Sequence, residues 1–270
     1  MILKVFRYDP GSGEQRYDRF PLMHRPGMTV LEALFLVASE QDDSLAFRYS
    51  CRGAVCGTCA VLVNHVPRLA CRTRLEPLLR GEDLLALAPH PGLELGEAYS
   101  PDEEVLVEPL PNMPLIKDLV VDQEGFFSKY RMISPVFRPS GELPGKEQLM
   151  YPSAVRELET YTNCILCASC YAACPVNAAD DEYIGPAALA KLYRFAIDPR
   201  EGDHGSRFAR ADTPHGWWAC RFFTNCAKVC PKGVTPNVAI GKARGVLEGR
   251  GKDSRDKEHS PATDSHVPRE

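Results

Sequence analysis

Cys51-Arg52-Gly53-Ala54-Val55-Cys56-Gly57-Thr58-Cys59, with Cys71 beyond it, decides the reading of the first half of the chain. The spacing is C-x4-C-x2-C followed by a distant fourth cysteine, the plant-type pattern for a 2Fe-2S cluster. Two irons need four thiolates. One tight loop supplies three, and a neighbouring element closes the cage. Gly53 and Gly57 are predicted to take positive φ, so that amide N–H groups approach negatively charged sulfur. Zinc is the alternative, although structural zinc more often pairs two C-x2-C knuckles.

Around this loop the pattern predicts a small α+β domain over residues 1–100. Ile2–Tyr8 and Arg16–Leu22 read as strands joined by a turn through residues 9–13. Thr29-Val30-Leu31-Glu32 has the form of a capping box before an apolar helical repeat. After the cysteine loop come a strand at Ala60–Val63, a turn at Asn64–Arg68 and a last strand at Leu84–Ala88. This is the element order of a β-grasp. Residues 101–150 are rich in proline and read as a connection wrapped on the surface of both domains. Residues 151–248 lose the β-branched alternation and read as all-α, with Pro186 at a helix first turn. Residues 249–270 are charged and nearly free of large apolar residues, and are expected to be disordered.

The second half carries a duplicated motif. Cys164-Ile165-Leu166-Cys167-Ala168-Ser169-Cys170-Tyr171-Ala172-Ala173-Cys174-Pro175 matches C-x2-C-x2-C-x3-C-P, the bacterial ferredoxin run, in which the cysteine before proline crosses to a second cluster. Cys220-Arg221-Phe222-Phe223-Thr224-Asn225-Cys226-Ala227-Lys228-Val229-Cys230-Pro231 fits the same template with Phe223 at the second position. With the crossover, Cys164, Cys167, Cys170 and Cys230 form a full set for a 4Fe-4S cluster. Cys174, Cys220 and Cys226 are one thiolate short, which predicts a 3Fe-4S cluster. A fourth iron held by another residue or water, or zinc at both sites, are the alternatives. Ile165, Leu166, Phe222, Phe223 and Val229 are expected to exclude water from these centres.

The bulk properties agree with this reading. All 11 cysteines fall in the three groups, whereas buried structural cysteines would scatter. An odd number cannot all pair as disulfides, and a reducing compartment leaves metal binding as their use. The chain of 270 residues is 44% hydrophobic and 25% charged with net charge −4, ordinary values for two globular domains and no sign of nucleic-acid affinity. The apolar runs are too short to span a bilayer. Met1 leads directly into the first strand with no leader, so the expected location is the cytoplasmic side of a bacterial inner membrane, peripheral and without a transmembrane segment. None of the seven histidines is assigned as a ligand.

The chain resembles the iron–sulfur subunit of succinate dehydrogenase and fumarate reductase over roughly residues 1–248. Besides the cysteines, the resemblance rests on Val107-Glu108-Pro109-Leu110, Ile116-Lys117-Asp118-Leu119-Val120-Val121-Asp122, Glu182-Tyr183-Ile184-Gly185-Pro186-Ala187 and Cys230-Pro231-Lys232-Gly233-Val234-Thr235-Pro236-Asn237. It implies an N-terminal β-grasp 2Fe-2S ferredoxin-like domain and a C-terminal all-α helical ferredoxin domain. It also implies partners: a FAD-containing flavoprotein subunit on the 2Fe-2S side, and one or more membrane anchor subunits with quinone, and with haem b in some members, on the 3Fe-4S side. Single electrons would pass between flavin and quinone, and this chain alone would not act on the dicarboxylate. Tyr161–Pro175 is more similar to fumarate reductase members. Ubiquinone-using members often carry tryptophan shortly after the Cys-Pro of the second group and histidine after the first cysteine of the third. Here those places read Pro175-Val176-Asn177-Ala178-Ala179 and Cys220-Arg221, which leaves menaquinone open. Pro175 and Arg221 are candidates for the quinone or membrane side. Trp217 and Trp218 read either as interfacial indoles or as core packing. A subunit serving another flavoprotein, a free ferredoxin shuttle and a zinc-stabilised interaction module are the competing readings.

Overall fold

The strand at Ile2–Tyr8 (β1) is buried along its centre, its charged Lys4 and Arg7 included, as a central strand must be. It pairs antiparallel with Gln15–Pro21 (β2) and parallel with a strand far along the chain. In this computed structural model, residues 1–82, 85–90, 98–101, 103–139, 141 and 145–249 are described. Thr29 and Glu32 close the expected capping box on the helix Val30–Glu40 (α1), whose Val30, Leu31, Leu34 and Val37 pack into the core of the first domain.

Ala60–Val63 (β3) and Val66–Leu69 (β4) form a hairpin. The expected turn over Asn64–Arg68 is shorter than that. Only Asn64 and His65 turn, both with positive φ (50° and 63°), the geometry of a two-residue hairpin turn that matches strand twist. Pro67 obscures β4 in the sequence. It is tolerated because β4 is an edge strand and needs no further N–H partner.

The last strand of the sheet differs from expectation. No strand forms at 85–88, and residue 84 lies outside the described residues. After the helix Leu75–Leu79 (α2), the fifth strand is Glu104–Glu108 (β5), from the segment expected to be a surface connection. It is buried throughout and sits between β1 and β3, giving the order β2-β1-β5-β3-β4. Glutamates at both of its ends mask its apolar centre in the sequence. Each has a partner in the fold: Glu104 takes Arg19, and Glu108 accepts from the Tyr17 hydroxyl at 2.6 Å.

Residues beyond β5 also join the core. Leu110, Leu119, Val121 and Phe126 are buried against the first domain. They come from a segment carrying the small ribbon Leu115–Lys117 (β6) and Val120–Val121 (β7) and the helix Glu124–Met132 (α3). Asp118 accepts from Arg7 Nε and from the Tyr8 and Ala46 amides, pinning this ribbon to β1.

From residue 152 the chain is helical, as expected. The helices are Pro152–Thr162 (α4), Ser169–Ala172 (α5), Pro175–Ala179 (α6), Pro186–Ala196 (α7), His204–Ala209 (α8), Asn225–Lys228 (α9) and Pro236–Leu247 (α10), with a single 3-10 turn at Trp217–Ala219. The core here is centred on α7, whose Leu189, Leu192 and Tyr193 pack with Tyr161, Trp217 and Ile240. Among the described residues no helix is long and apolar enough to cross a membrane. The expected tail lies outside the described residues apart from Gly249.

Candidate metal centres

The loop at residues 51–59 wraps its backbone around one sulfur. The amides of Gly53, Val55 and Cys56 donate to Cys51 Sγ at 3.4, 3.4 and 3.3 Å. Positive φ falls at Arg52, Ala54 and Gly57, and not at Gly53 as expected. Gly57 is required for a second reason. A Cβ there would lie 2.8 Å from Cys167 Cβ and 2.9 Å from its Cα, so the first cysteine loop touches the second through a glycine. Cys59 enters β3 and Cys71 follows β4. The Ala70 amide donates to the Cys59 carbonyl at 3.0 Å, which draws the two thiols together at the hairpin base. Burial, with the thiols of Cys71 and Cys56 close by, pushes Cys59 up to about 12. The Thr58 hydroxyl and then the Cys51 backbone bring Cys56 down to about 6.

A cavity lies between the second and third cysteine groups. Cys164, Cys167 and Cys170 line it together with Cys230, and Ile165, Leu166, Ala187, Ala190 and Val234 close its walls. Burial raises the thiols of Cys164, Cys167 and Cys170, the last of them far above its ordinary value. The Val234 amide reaches Cys230 Sγ at 3.3 Å.

A second cavity brings together Cys174, Cys220 and Cys226, with Tyr183, Phe223, Asn237 and Ile240. Burial raises all three thiols, Cys226 to about 12. The Phe222 amide donates to Cys220 Sγ at 3.4 Å.

Backbone geometry fixes the register of the two loops. In the first, Leu166 and Ala168 are left-handed (φ 53° and 62°), followed by α5. In the second, Phe222 and Thr224 are left-handed (φ 56° and 65°), followed by α9. Overlaying the two sets Phe223 on Cys167. Burial holds the thiols of Cys164, Cys167, Cys170, Cys174, Cys220 and Cys226 protonated, a state that bound cations would reverse by replacing the protons. Amides aimed at sulfur favour the deprotonated state, so the residues present fit iron–sulfur clusters.

Phe222 and Phe223 line the three-cysteine cavity and are exposed on their other side (42% and 44%), forming an apolar rim with Trp218. The Arg244 guanidinium lies over the rings of Phe222 and Trp218 and donates to the carbonyls of Trp217 and Cys220, which holds that rim in place. Val229 is buried with Val66 and Ala173, and Cys170 packs against that cluster. The two tryptophans part company: Trp217 is fully buried with its indole N–H on the Phe208 carbonyl, and Trp218 is partly exposed with its indole N–H on Asp212. Arg221 is exposed on the same rim and Pro175 lines the three-cysteine cavity.

Some functional residues gave no signal in the sequence. Asn225 donates to the carbonyls of Ala88 and Ala173 and accepts from the Ala88 amide, and Asn112 donates to the carbonyls of Tyr171 and Ala172. These amides clasp the two domains beside the cavities. His215 sits between Asp180 and Glu182 at the surface.

Comparison with known proteins agrees with this arrangement. Residues 2–128 match the family model of a 2Fe-2S iron-sulfur cluster binding domain, and residues 160–234 that of a 4Fe-4S dicluster domain. The chain is 30% identical to the fumarate reductase iron-sulfur subunit of Haemophilus influenzae, over 90% of this chain and 91% of that one. It is 32% identical to the succinate dehydrogenase iron-sulfur subunit of Paracoccus denitrificans, over 91% and 87%. A chain of the Mycobacterium smegmatis Sdh1 complex in the apo form superposes with a TM-score of 0.76 at 26% identity, covering 94% of this chain and 97% of that one.

Proposed function

The chain belongs to the family of fumarate reductase and succinate dehydrogenase iron–sulfur subunits, and from that premise we propose a specific assignment of its eleven cysteines. Cys51, Cys56, Cys59 and Cys71 hold a 2Fe-2S cluster. Cys164, Cys167, Cys170 and Cys230 hold a 4Fe-4S cluster, and Cys174, Cys220 and Cys226 hold a 3Fe-4S cluster. When bound, these groups supply one-electron redox chemistry. The protein contributes thiolates, amide donors to sulfur, and walls that keep water out.

In this reading the chain is the electron-transfer subunit of a succinate:quinone or quinol:fumarate oxidoreductase. It relays single electrons between FAD in a flavoprotein subunit and quinone in a membrane anchor. The exposed rim of Trp218, Phe222 and Phe223, with Arg221 at its edge, supports an anchor docking beside the three-cysteine cavity. A peripheral position on the cytoplasmic side of a bacterial inner membrane fits this arrangement.

The observation that carries the proposal is the shared cavity of Cys164, Cys167 and Cys170 with Cys230, whose own run is separated from theirs by α6, α7 and α8. Its test is Cys230→Ser in the intact complex. Wild type is expected to hold about nine irons per chain and to show a three-iron EPR signal when oxidised. The variant loses the four-iron signal and keeps the three-iron one. Loss of the three-iron signal instead would reject the crossover.

A further inference from the structure

Of the eleven cysteines, Cys51 alone is exposed, and the other ten are partly or fully buried. Its neighbours share that exposure. Tyr49, Ser50, Arg52 and Gly53 are exposed, and Val55 is 64% exposed. Exposed large apolar side chains mark the three cysteine groups unevenly. Tyr49 and Val55 stand at the first group, Phe222 and Phe223 in the third, and none lies within residues 164–175. The first and third groups therefore have open apolar faces, and the second has none.

The face at the first group is held rigid. Phe35 on α1 packs edge-on against Phe47 and Tyr49, with ring centroids 5.4 and 4.5 Å away, and Phe47 lies 5.8 Å from Tyr49. The Arg52 guanidinium sits over the Phe35 and Tyr49 rings at 5.3 and 5.8 Å, within cation–π range. Ala46, just ahead of these rings, has both backbone groups taken. Its amide donates to Asp118 Oδ2 at 2.8 Å, and its carbonyl accepts from the Leu119 amide at 3.2 Å. The segment leading into the loop is thus ordered before a partner arrives, which lowers the entropic cost of association. Tyrosine and arginine are also the residue types that most often carry interface affinity.

Electron transfer weakens steeply with distance, so a redox partner has to approach the one thiol that the fold leaves open. We propose that Tyr49, Arg52 and Val55 form the seat of the flavoprotein subunit, with Arg52 as its anchor and the exposed side of Cys51 covered on docking. This rests on the two-iron assignment and the flavoprotein partner given above. The stretch from Phe47 to Cys59 carries Arg48 and Arg52 and no carboxylate, so the surface that meets it is acidic around an apolar centre. The rim at the third group is left to the membrane anchor.

The test is the flavin content of the complex captured through a tag on this chain and carrying Val55→Asp. The substitution puts a carboxylate on the apolar tip and keeps the Val55 amide that donates to Cys51 Sγ. The flavin-to-chain ratio is expected to fall by about tenfold, with the two-iron EPR signal at wild-type amplitude and the membrane anchor retained. Unchanged flavin content at full two-iron amplitude overturns the proposal, as does loss of the anchor with the flavin kept. If Val55→Asp costs the two-iron signal, Tyr49→Ala decides, since it lies outside the cysteine loop and removes one of the two rings under Arg52. Flavin lost at full two-iron amplitude supports the seat, and flavin retained overturns it. A wild-type complex that carries no flavin would instead sink the flavoprotein reading itself, a distinct failure visible before any variant is made.

Discussion

Between Cys164 and Pro175 the chain builds a loop with four thiols, and between Cys220 and Pro231 it builds the same loop with three. Left-handed residues fall at the same two template positions in both, and a four-residue helix follows each. Two of the matching positions where the side chains differ set the loops apart. Phe223 replaces Cys167, and Asn225 replaces Ser169. In the first loop the hydroxyl of Ser169 serves the extra thiol. In the second there is no such thiol, and Asn225 turns instead to Ala88 and Ala173 to clasp the domains. The loop path therefore does not depend on the second cysteine. Where the first loop has a hydroxyl facing a thiol, the second has a buried amide that ties the domains and one thiol fewer.

The largest effect expected from this comparison follows Phe223→Cys. It returns the missing thiol at a position whose backbone already matches Cys167. Most of the oxidised three-iron EPR signal should vanish, with iron content rising by one per chain. A three-iron signal of wild-type size, with the new cysteine present in the folded complex, would break the register.

Gly57→Ala tests how closely the first loop must approach the second. The added methyl meets Cys167 at 2.8 Å while the residue holds φ 75°. Left-handed strain and overpacking together should cost about 3 kcal/mol, read as a lower unfolding midpoint. Electron exchange between the first two centres should slow as well, because the loops must part. Wild-type stability and wild-type transfer rates together would mean that this contact opens freely in solution.

Asn225→Ala should cost about 2 kcal/mol, since it removes three buried hydrogen bonds. It should also expose residues 85–90 to proteolysis. Ser169→Ala, at the matching position, should leave that segment protected, because Ser169 faces a sulfur and makes no bond across the domains. Equal protease sensitivity in the two variants would erase the distinction drawn between the loops.

Ligand spacing was legible in the sequence because metal coordination demands short, fixed separations along the chain. Two of the three cysteine groups line cavities, and β1, the Thr29 cap and the proline-initiated α7 were legible from local patterns. What was not legible depends on distant partners. Glu104–Glu108 reads as polar until Arg19, Tyr17 and β1 surround it. Leu85 and Leu87 read as a strand but pack beside Val66, Ala173 and Val229 between the domains. Asn225 was an ordinary letter because its role arises only when separate elements meet.

The smallest effect concerns a surface tie found beside the three-thiol loop. His215 Nδ1 lies 2.9 Å from Asp180 Oδ2, and Nε2 lies 3.2 Å from Glu182 Oε2. Asp180 caps the C-terminus of α6 and Cys174 its N-terminus, and His215 precedes Cys220, so the contact links the two chain segments that lead into the cavity. The Asp180 carboxylate raises the imidazole above its ordinary 6.5, and the imidazolium in turn lowers the carboxyl below its ordinary 3.8. A raised histidine pKa stabilises the fold fully below the unfolded value and ceases to do so as pH rises through the folded one. A lowered aspartate pKa stabilises above the unfolded value and is lost as pH falls through the folded one. Both contributions are present together between about pH 4 and pH 6.5. His215→Gln should therefore lower the unfolding midpoint of the complex slightly at pH 6, with the gap from wild type closing by pH 9. A gap that stays constant across that range would mean that the imidazole ring matters for its shape and not for its charge.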